Sequence, residues 1–116
     1  MLLIEYPRCS TCQKAKRYLT ERGLDFEDRP ICSQPPTALE LQAWQRQSGL
    51  PLKRFFNTSG QSYRALGLKD KLATLPEEEQ LALLAADGML VKRPILVDGD
   101  TVLVGFRQEE WDAALK

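Results

Sequence analysis

Apolar residues recur along this chain with different periods in successive stretches, and each period predicts an element. The short apolar run LLIEY, residues 2–6, reads as a buried strand that Pro7 stops. In CSTCQKAKRYLTERG the positions Cys12, Ala15 and Leu19, with Tyr18 beside them, fall at helical spacing. That spacing predicts a helix over residues 11–22, with Cys12 in its first turn and Gly23 as its stop. LDFEDRPI, residues 24–31, alternates from Leu24 and Phe26 into polar positions and predicts a second strand. A helix joins these two strands, so they are expected to run parallel.

A helical middle follows. TALE, residues 37–40, has the capping-box pattern, with Thr37 as N-cap and Glu40 three residues on. Leu41 and Trp44 give that helix its apolar face, and Gly49 ends it. PLKRFFNTSGQSYRALGL predicts one or two short helices broken at residues 57–60. PEEEQLALLAADG is a clearer helix: Pro76 opens it, Glu77, Glu78 and Glu79 suit its positive end, and Gly88 closes it. The pattern then changes. RPILVDGDTVLVGF, residues 93–106, is two β runs around an Asp-Gly turn. QEEWDAALK closes the chain as a helix, with Trp111, Ala114 and Leu115 on one face. The order is β-α-β, helical insertion, β-hairpin, α, which predicts an α/β fold with a small mixed sheet flanked by helices. No repeat or low-complexity segment interrupts it. Residues 1–116 are expected to form a single domain, with 1–33 and 90–116 as its sheet-bearing core and 34–89 as the helical insertion.

Composition narrows the function. A chain of 116 residues suits one domain, and 43% hydrophobic residues can supply its core. Sixteen basic residues balance sixteen acidic ones, and no DNA-binding motif is present, so direct nucleic-acid binding is not expected. No apolar run reaches the roughly 18–20 residues of a membrane helix, and MLLIEYP lacks the length and basic head of a secretion signal. The expected compartment is the cytoplasm, with no membrane partner. Three cysteines there are not expected to build a disulfide scaffold. A C-x-x-C in such a chain is more often catalytic, redox-sensing or metal-binding.

Cys9 and Cys12 form that motif, at the junction of the first strand and its helix. In a β-α-β context this placement gives the thioredoxin-like reading. Thiolate is the reactive form of cysteine, and the unpaired N–H groups of a helix start favour it. Cys9 stands where those donors are free, whereas Cys12 lies inside the first turn and is expected to be the more buried. On this reading Cys9 attacks and Cys12 resolves the mixed species by closing an intramolecular disulfide. A zinc site is the second reading, but the chain has no histidine and only one further cysteine, Cys32. Two core cysteines are the third. Against them stand the loop position of Cys9 and its neighbours Arg8 and Lys14. Cys32 itself reads as a small residue packed at a strand end, or as a third redox partner.

Arg93–Pro94 opens the hairpin. In thioredoxin-like folds a cis-proline at the start of this strand faces the active cysteine, which makes Pro94 the candidate and would project Arg93 near Cys9. A guanidinium there would stabilise a thiolate and bind an oxyanion through paired hydrogen bonds. The competing reading is a surface arginine before an edge-strand proline. Arg107, after the hairpin, either joins the same anion site or pairs with Glu110.

CSTCQKAKRYL, FNTSGQSYRALGL and KRPILVDGDTVLVGF together resemble the arsenate reductase ArsC / Spx family, in order and over nearly the whole chain. The resemblance implies a thioredoxin-like fold with a helical insertion. It also implies one of two activities. Arsenate reductases of this family use an N-terminal cysteine against the oxyanion, with glutathione and glutaredoxin completing the reduction and no bound cofactor. Cys9 matches that nucleophile and Arg93 and Arg107 match two of the surrounding arginines, with Ser10 and Thr11 following the nucleophile as further substrate contacts. A third arginine falls near Asn57, and Cys12 stands where those enzymes carry serine. The Spx branch carries C-x-x-C and binds the C-terminal domain of the RNA polymerase α-subunit under control of its disulfide. Cys9, Cys12 and Arg93 match its switch. The expected function is an arsenate reductase-like thiol–disulfide oxidoreductase acting on a small thiol or oxyanion, with glutathione or glutaredoxin as reductant. The alternative is an Spx-like regulator.

Overall fold

In the computed structural model, which describes residues 1–115, two compact units form. The first joins Met1–Gln34 to the chain from Arg93 onward, and the second is Pro35–Lys92.

The first unit holds a four-stranded sheet. Strand β1 (Leu2–Glu5) leads into helix α1 (Ser10–Glu21), then β2 (Glu27–Pro30). After the second unit come β3 (Ile95–Asp98), β4 (Thr101–Val104) and a last helix. The strand order is β2-β1-β3-β4. β1 and β2 are parallel, as the intervening helix requires, while β1–β3 and β3–β4 are antiparallel. The second strand is shorter than its alternation suggests. Leu24 and Phe26 precede the hydrogen-bonded ladder and pack on the core instead. In the hairpin Asp98 pairs with Thr101, so Gly99 and Asp100 are the central turn residues. Gly99 alone takes a positive φ, 58°, the pattern of a II′-type turn, rather than Asp-Gly occupying the centre.

One core cluster covers the α1 side of this sheet. It contains Leu3 and Leu96, which face each other across β1 and β3, with Ala15, Tyr18 and Leu19 of α1 and Trp111. Tyr18, Phe106 and Trp111 meet edge to face at 4.9–5.9 Å. The fully buried Trp111 donates Nε1–H to the Gly105 carbonyl at 3.1 Å. In the last helix (Gln108–Ala114 in its regular part) Ala114 is exposed, contrary to expectation, and only Trp111 and Leu115 turn inward.

The second unit is helical. It begins with α2 (Ala38–Ser48), whose capping box forms as the sequence predicts: Thr37 Oγ1 accepts from Glu40 N–H at 3.1 Å and Glu40 Oε1 accepts from Thr37 N–H at 3.0 Å. Short helices α3 (Gln61–Ala65) and α4 (Leu68–Lys71) follow, then α5 (Glu77–Ala86), which packs on α2. In the break before α3 a Cβ at Gly60 would stand 2.9 Å from the Asn57 side-chain Nδ2 and 3.3 Å from the Asn57 carbonyl oxygen, so the Asn57 side chain would have to shift. Helix α5 ends before Gly88. Asp87 turns extended, caps the Met89 N–H with Oδ1, and Gly88 starts a 3₁₀ turn instead of closing the helix. No helix among the described residues is long and apolar enough to cross a membrane.

Candidate redox site

All residues of the candidate site lie in the first unit. The chain leaves β1 at Glu5, turns through Tyr6, Pro7 and Arg8, and enters α1 with Cys9 as the N-cap. Two contacts shape this loop: Cys9 N–H donates to the Tyr6 carbonyl at 2.9 Å, and Gln13 Nε2 donates to the Pro7 carbonyl at 2.9 Å. No side chain caps α1, and its first turn holds no carboxylate. The positive end of the helix is therefore left facing the loop that carries Cys9. Cys9 is half-buried, Ser10 and Thr11 are exposed, and Cys12 is fully buried. Both cysteines are free thiols.

The Cys12 thiol is pushed up from 9.0 to about 12, first by burial. A backbone hydrogen bond from Tyr6 opposes this. A hydrogen bond to the Cys9 sulfur and the charge of a Cys9 thiolate add to it, and the Arg93 charge again opposes. Cys9 and Arg93 both act electrostatically on the Cys12 thiol.

Sheet register explains how Arg93 arrives there. Ile4 pairs with Ile95, so the antiparallel ladder carries Arg93 back alongside Tyr6. The Arg93–Pro94 peptide is cis. The Arg93 guanidinium carbon lies 4.9 Å from the centre of the Tyr6 ring, a cation–π contact. Pro94 is buried, and its carbonyl accepts from Gly105 N–H at 2.8 Å. Cys9, Cys12, Arg93 and Pro94 therefore gather at one end of the sheet. Arg107 reaches the same end, because Val104 pairs with Ile95. Its side chain is exposed, and the alternative reading, a pair with Glu110, does not form among the described residues. Cys32 is exposed in the turn after β2, not packed at a strand end. The chain turns outward there because Pro30 ends the ladder and Gln34 N–H closes back on the Pro30 carbonyl at 2.9 Å. No group of three or more His, Cys, Asp or Glu side chains among the described residues is arranged to hold a metal ion.

Three features escaped sequence reasoning. Tyr6 looked like the last residue of a strand, and only the pairing of β1 with β3 puts its ring under Arg93. Gln13 has no motif of its own. The third is Lys16, which bridges Glu5 at 3.0 Å and Asp28 at 2.9 Å and so ties α1 to both parallel strands. The signal available for it was Glu5, a charge at the end of an otherwise apolar run.

A cysteine pair at a β1–α1 junction, set beside the cis-proline that opens an antiparallel strand, defines a thioredoxin-like protein of the C-x-x-C type. Within that class the chain belongs to the ArsC family, whose model matches residues 4–114. It is 52% identical over 107 residues to the uncharacterized protein YusI of Bacillus subtilis, covering 92% of this chain and 91% of that one. It is 29% identical to the global transcriptional regulator Spx of Enterococcus faecalis, covering 95% of this chain and 82% of Spx. Its fold superposes with a TM-score of 0.87 on the crystal structure of a possible arsenate reductase from Streptococcus mutans, at 50% identity and 96% coverage of each chain.

Proposed function

We propose that this protein is a thiol–disulfide oxidoreductase in which Cys9 is the nucleophile and Cys12 the resolving thiol. The observation that carries this reading is a fully buried Cys12 one helical turn on from a half-buried Cys9 at the uncapped start of α1. The Cys9 thiolate attacks one sulfur of a substrate disulfide. A bond forms between Cys9 and the substrate, the substrate S–S bond breaks, and its second sulfur leaves as a thiolate. Cys12 then gives up its proton and attacks the Cys9 sulfur. The Cys9–Cys12 bond forms, and the remaining substrate sulfur leaves with the electron pair and takes a proton. Two electrons pass to the substrate, and an external thiol, glutathione or a glutaredoxin-type dithiol, returns them.

The environment of Cys12 orders these steps. While Cys9 is a thiolate, its charge and hydrogen bond hold the Cys12 proton in place. Once Cys9 is tied up in a mixed disulfide, that charge is gone. The Tyr6 backbone hydrogen bond and the Arg93 charge, which both favour the Cys12 thiolate, then face burial alone. For an oxyanion substrate, Arg93 and Arg107 would supply charge at the same end of the sheet, with Ser10, Thr11 and the first-turn N–H groups of α1 as donors.

Intact-mass analysis after incubation with a small disulfide tests the roles. With the exposed Cys32 replaced by Ser throughout, Cys9→Ser forms no adduct and shows no turnover, whereas Cys12→Ser accumulates the Cys9 adduct and stalls. Identical behaviour of the two variants overturns the assignment. The similarity to Spx favours a second reading, in which the Cys9–Cys12 disulfide controls docking to the C-terminal domain of the RNA polymerase α-subunit. Capture of that domain by one oxidation state alone would support the regulator. Turnover with glutathione or glutaredoxin, and no capture in either state, would support the enzyme.

A further inference from the structure

A groove of about 300 Å³ runs along α1 on the side away from Cys9 in sequence, lined by Lys14, Arg17, Tyr18, Glu21, Phe106 and Gln108. Its floor is aromatic, since Tyr18 and Phe106 meet edge to face at 5.4 Å. Its rim is ordered by charge. Ser10, Lys14, Arg17 and Glu21 follow one another at helical spacing, so they form a single stripe leading away from Cys9. Lys14 and Arg17 are exposed and form no ion pair among the described residues. Arg8 and Arg107, at this same end of the sheet, are exposed and likewise outside every ion pair among those residues. The acidic residues Glu27, Asp98 and Asp100 lie at the other end, where Leu2 pairs with Glu27 and Val97. Glu109 and Glu110, exposed in the first turn of the last helix, follow Arg107 at the cysteine end, where Arg8, Lys14, Arg17 and Arg107 outnumber them four to two.

Resting on the oxidoreductase reading, we propose that this groove docks an extended polypeptide whose reactive cysteine is followed by acidic residues and then by a basic one. Electrostatics favours a polypeptide over a small disulfide, because the cationic positions extend well beyond the sulfurs. At 1.5 Å per helical residue, Lys14, Arg17 and Glu21 stand about 7, 12 and 18 Å beyond Cys9. An extended chain advances about 3.3 Å per residue. Partner positions roughly two to four from its cysteine therefore meet Lys14 and Arg17, and positions roughly five to six meet Glu21. The aromatic floor takes an apolar side chain between them.

The test uses the Cys32→Ser protein, which removes the other exposed thiol, and three probes activated as 2-pyridyl mixed disulfides: a cysteine peptide with Asp at positions 2 and 4 and Lys at position 6, its charge-swapped counterpart, and neutral 2-hydroxyethyl pyridyl disulfide. Attack by Cys9 joins it to the probe sulfur and releases thiopyridone, which is followed by absorbance. At low salt the acidic peptide reacts about tenfold faster than the charge-swapped one, and high salt erases the preference. Lys14→Glu combined with Arg17→Glu removes or inverts the preference while the neutral probe reacts as before. Equal rates for the two peptides, or a parallel fall with all three probes in the double variant, overturns the proposal. A neutral probe that fails to react at all overturns the oxidoreductase reading instead. Docking is then decided by amide chemical shifts: an acidic peptide with Ser in place of Cys moves the Tyr18 and Phe106 signals, and their immobility sinks the groove.

Discussion

At the scale of single residues the two cysteines differ more by burial than by sequence. Three positions apart, they share a motif, but Cys12 faces the core and Cys9 stands at the N-cap position of the helix. The elevated Cys12 value fixes the direction of a pH effect. The unfolded thiol ionises near its ordinary 9.0, the folded one near about 12. This group's stabilising contribution is therefore complete below about pH 9 and is lost as pH rises toward the folded value, at roughly 1.4 kcal/mol per pH unit. Urea unfolding under reducing conditions should show the native protein losing stability more steeply above pH 9 than Cys12→Ser does. Parallel curves would place Cys12 in a wetter site than the structure gives it. Tyr6 and Gln13 show the limit of reading residues one at a time. Each is unremarkable in the chain, and each acquires its role by touching something distant in the site, Arg93 or the Pro7 carbonyl.

Among the elements, α1 is held to the sheet by both apolar and ionic contacts. Ala15 and Leu19 pack on Leu3, while Lys16 binds Glu5 and Asp28 across β1 and β2. Glu5 is almost wholly buried, and burial is the first cause that raises its carboxyl value. A hydrogen bond with Asp28 adds to the rise, and Lys16 opposes it. Burial would raise Asp28 too, but its bonds to Glu5 and Lys16 outweigh that and hold it below the usual range. With its raised value, Glu5 favours the folded state when protonated, and that contribution is lost as pH rises through the folded value. Lys16→Met leaves Glu5 without its cation, so the variant should lose about 2 to 3 kcal/mol near neutral pH. The loss should shrink on acidification, as Glu5 takes up a proton. Chemical denaturation at neutral and mildly acid pH measures both, and a pH-independent loss would show that Lys16 contributes packing alone. The elements themselves were largely legible in the chain. The Thr37–Glu40 box, the Gly49 stop and the α1 stripe are local devices that form wherever they are placed. The misread ends were Leu24 to Phe26, Gly88 and Ala114. Core packing outweighed the local pattern at Leu24 to Phe26 and a neighbouring cap did so at Gly88, while Ala114 is exposed beside the inward-facing Leu115.

At the scale of the whole molecule, the sheet is assembled from the two ends of the chain. β1 is flanked by β2, close in sequence, and by β3, which follows the whole second unit. A chain truncated after Lys92 lacks β3, β4 and Trp111, so nothing remains to pair the second edge of β1 or to close the aromatic cluster. Iodoacetamide should then alkylate Cys12 rapidly in the truncated chain, while in the full chain it labels Cys9 and Cys32 and spares Cys12. Equal protection in both would mean that Met1–Gln34 folds without its partner strands. The sequence by itself determined the order of elements, the parallel pairing of the first two strands and the cysteine motif at a helix start, because hydrophobic period, caps and turn residues act over a few neighbouring positions. Only the tertiary structure decided that Arg93 meets Tyr6, that Lys16 is clamped by two carboxylates, and that Cys32 faces solvent. Those outcomes depend on strand register and on burial. Both are set by packing between segments up to about ninety residues apart, and no local pattern encodes them.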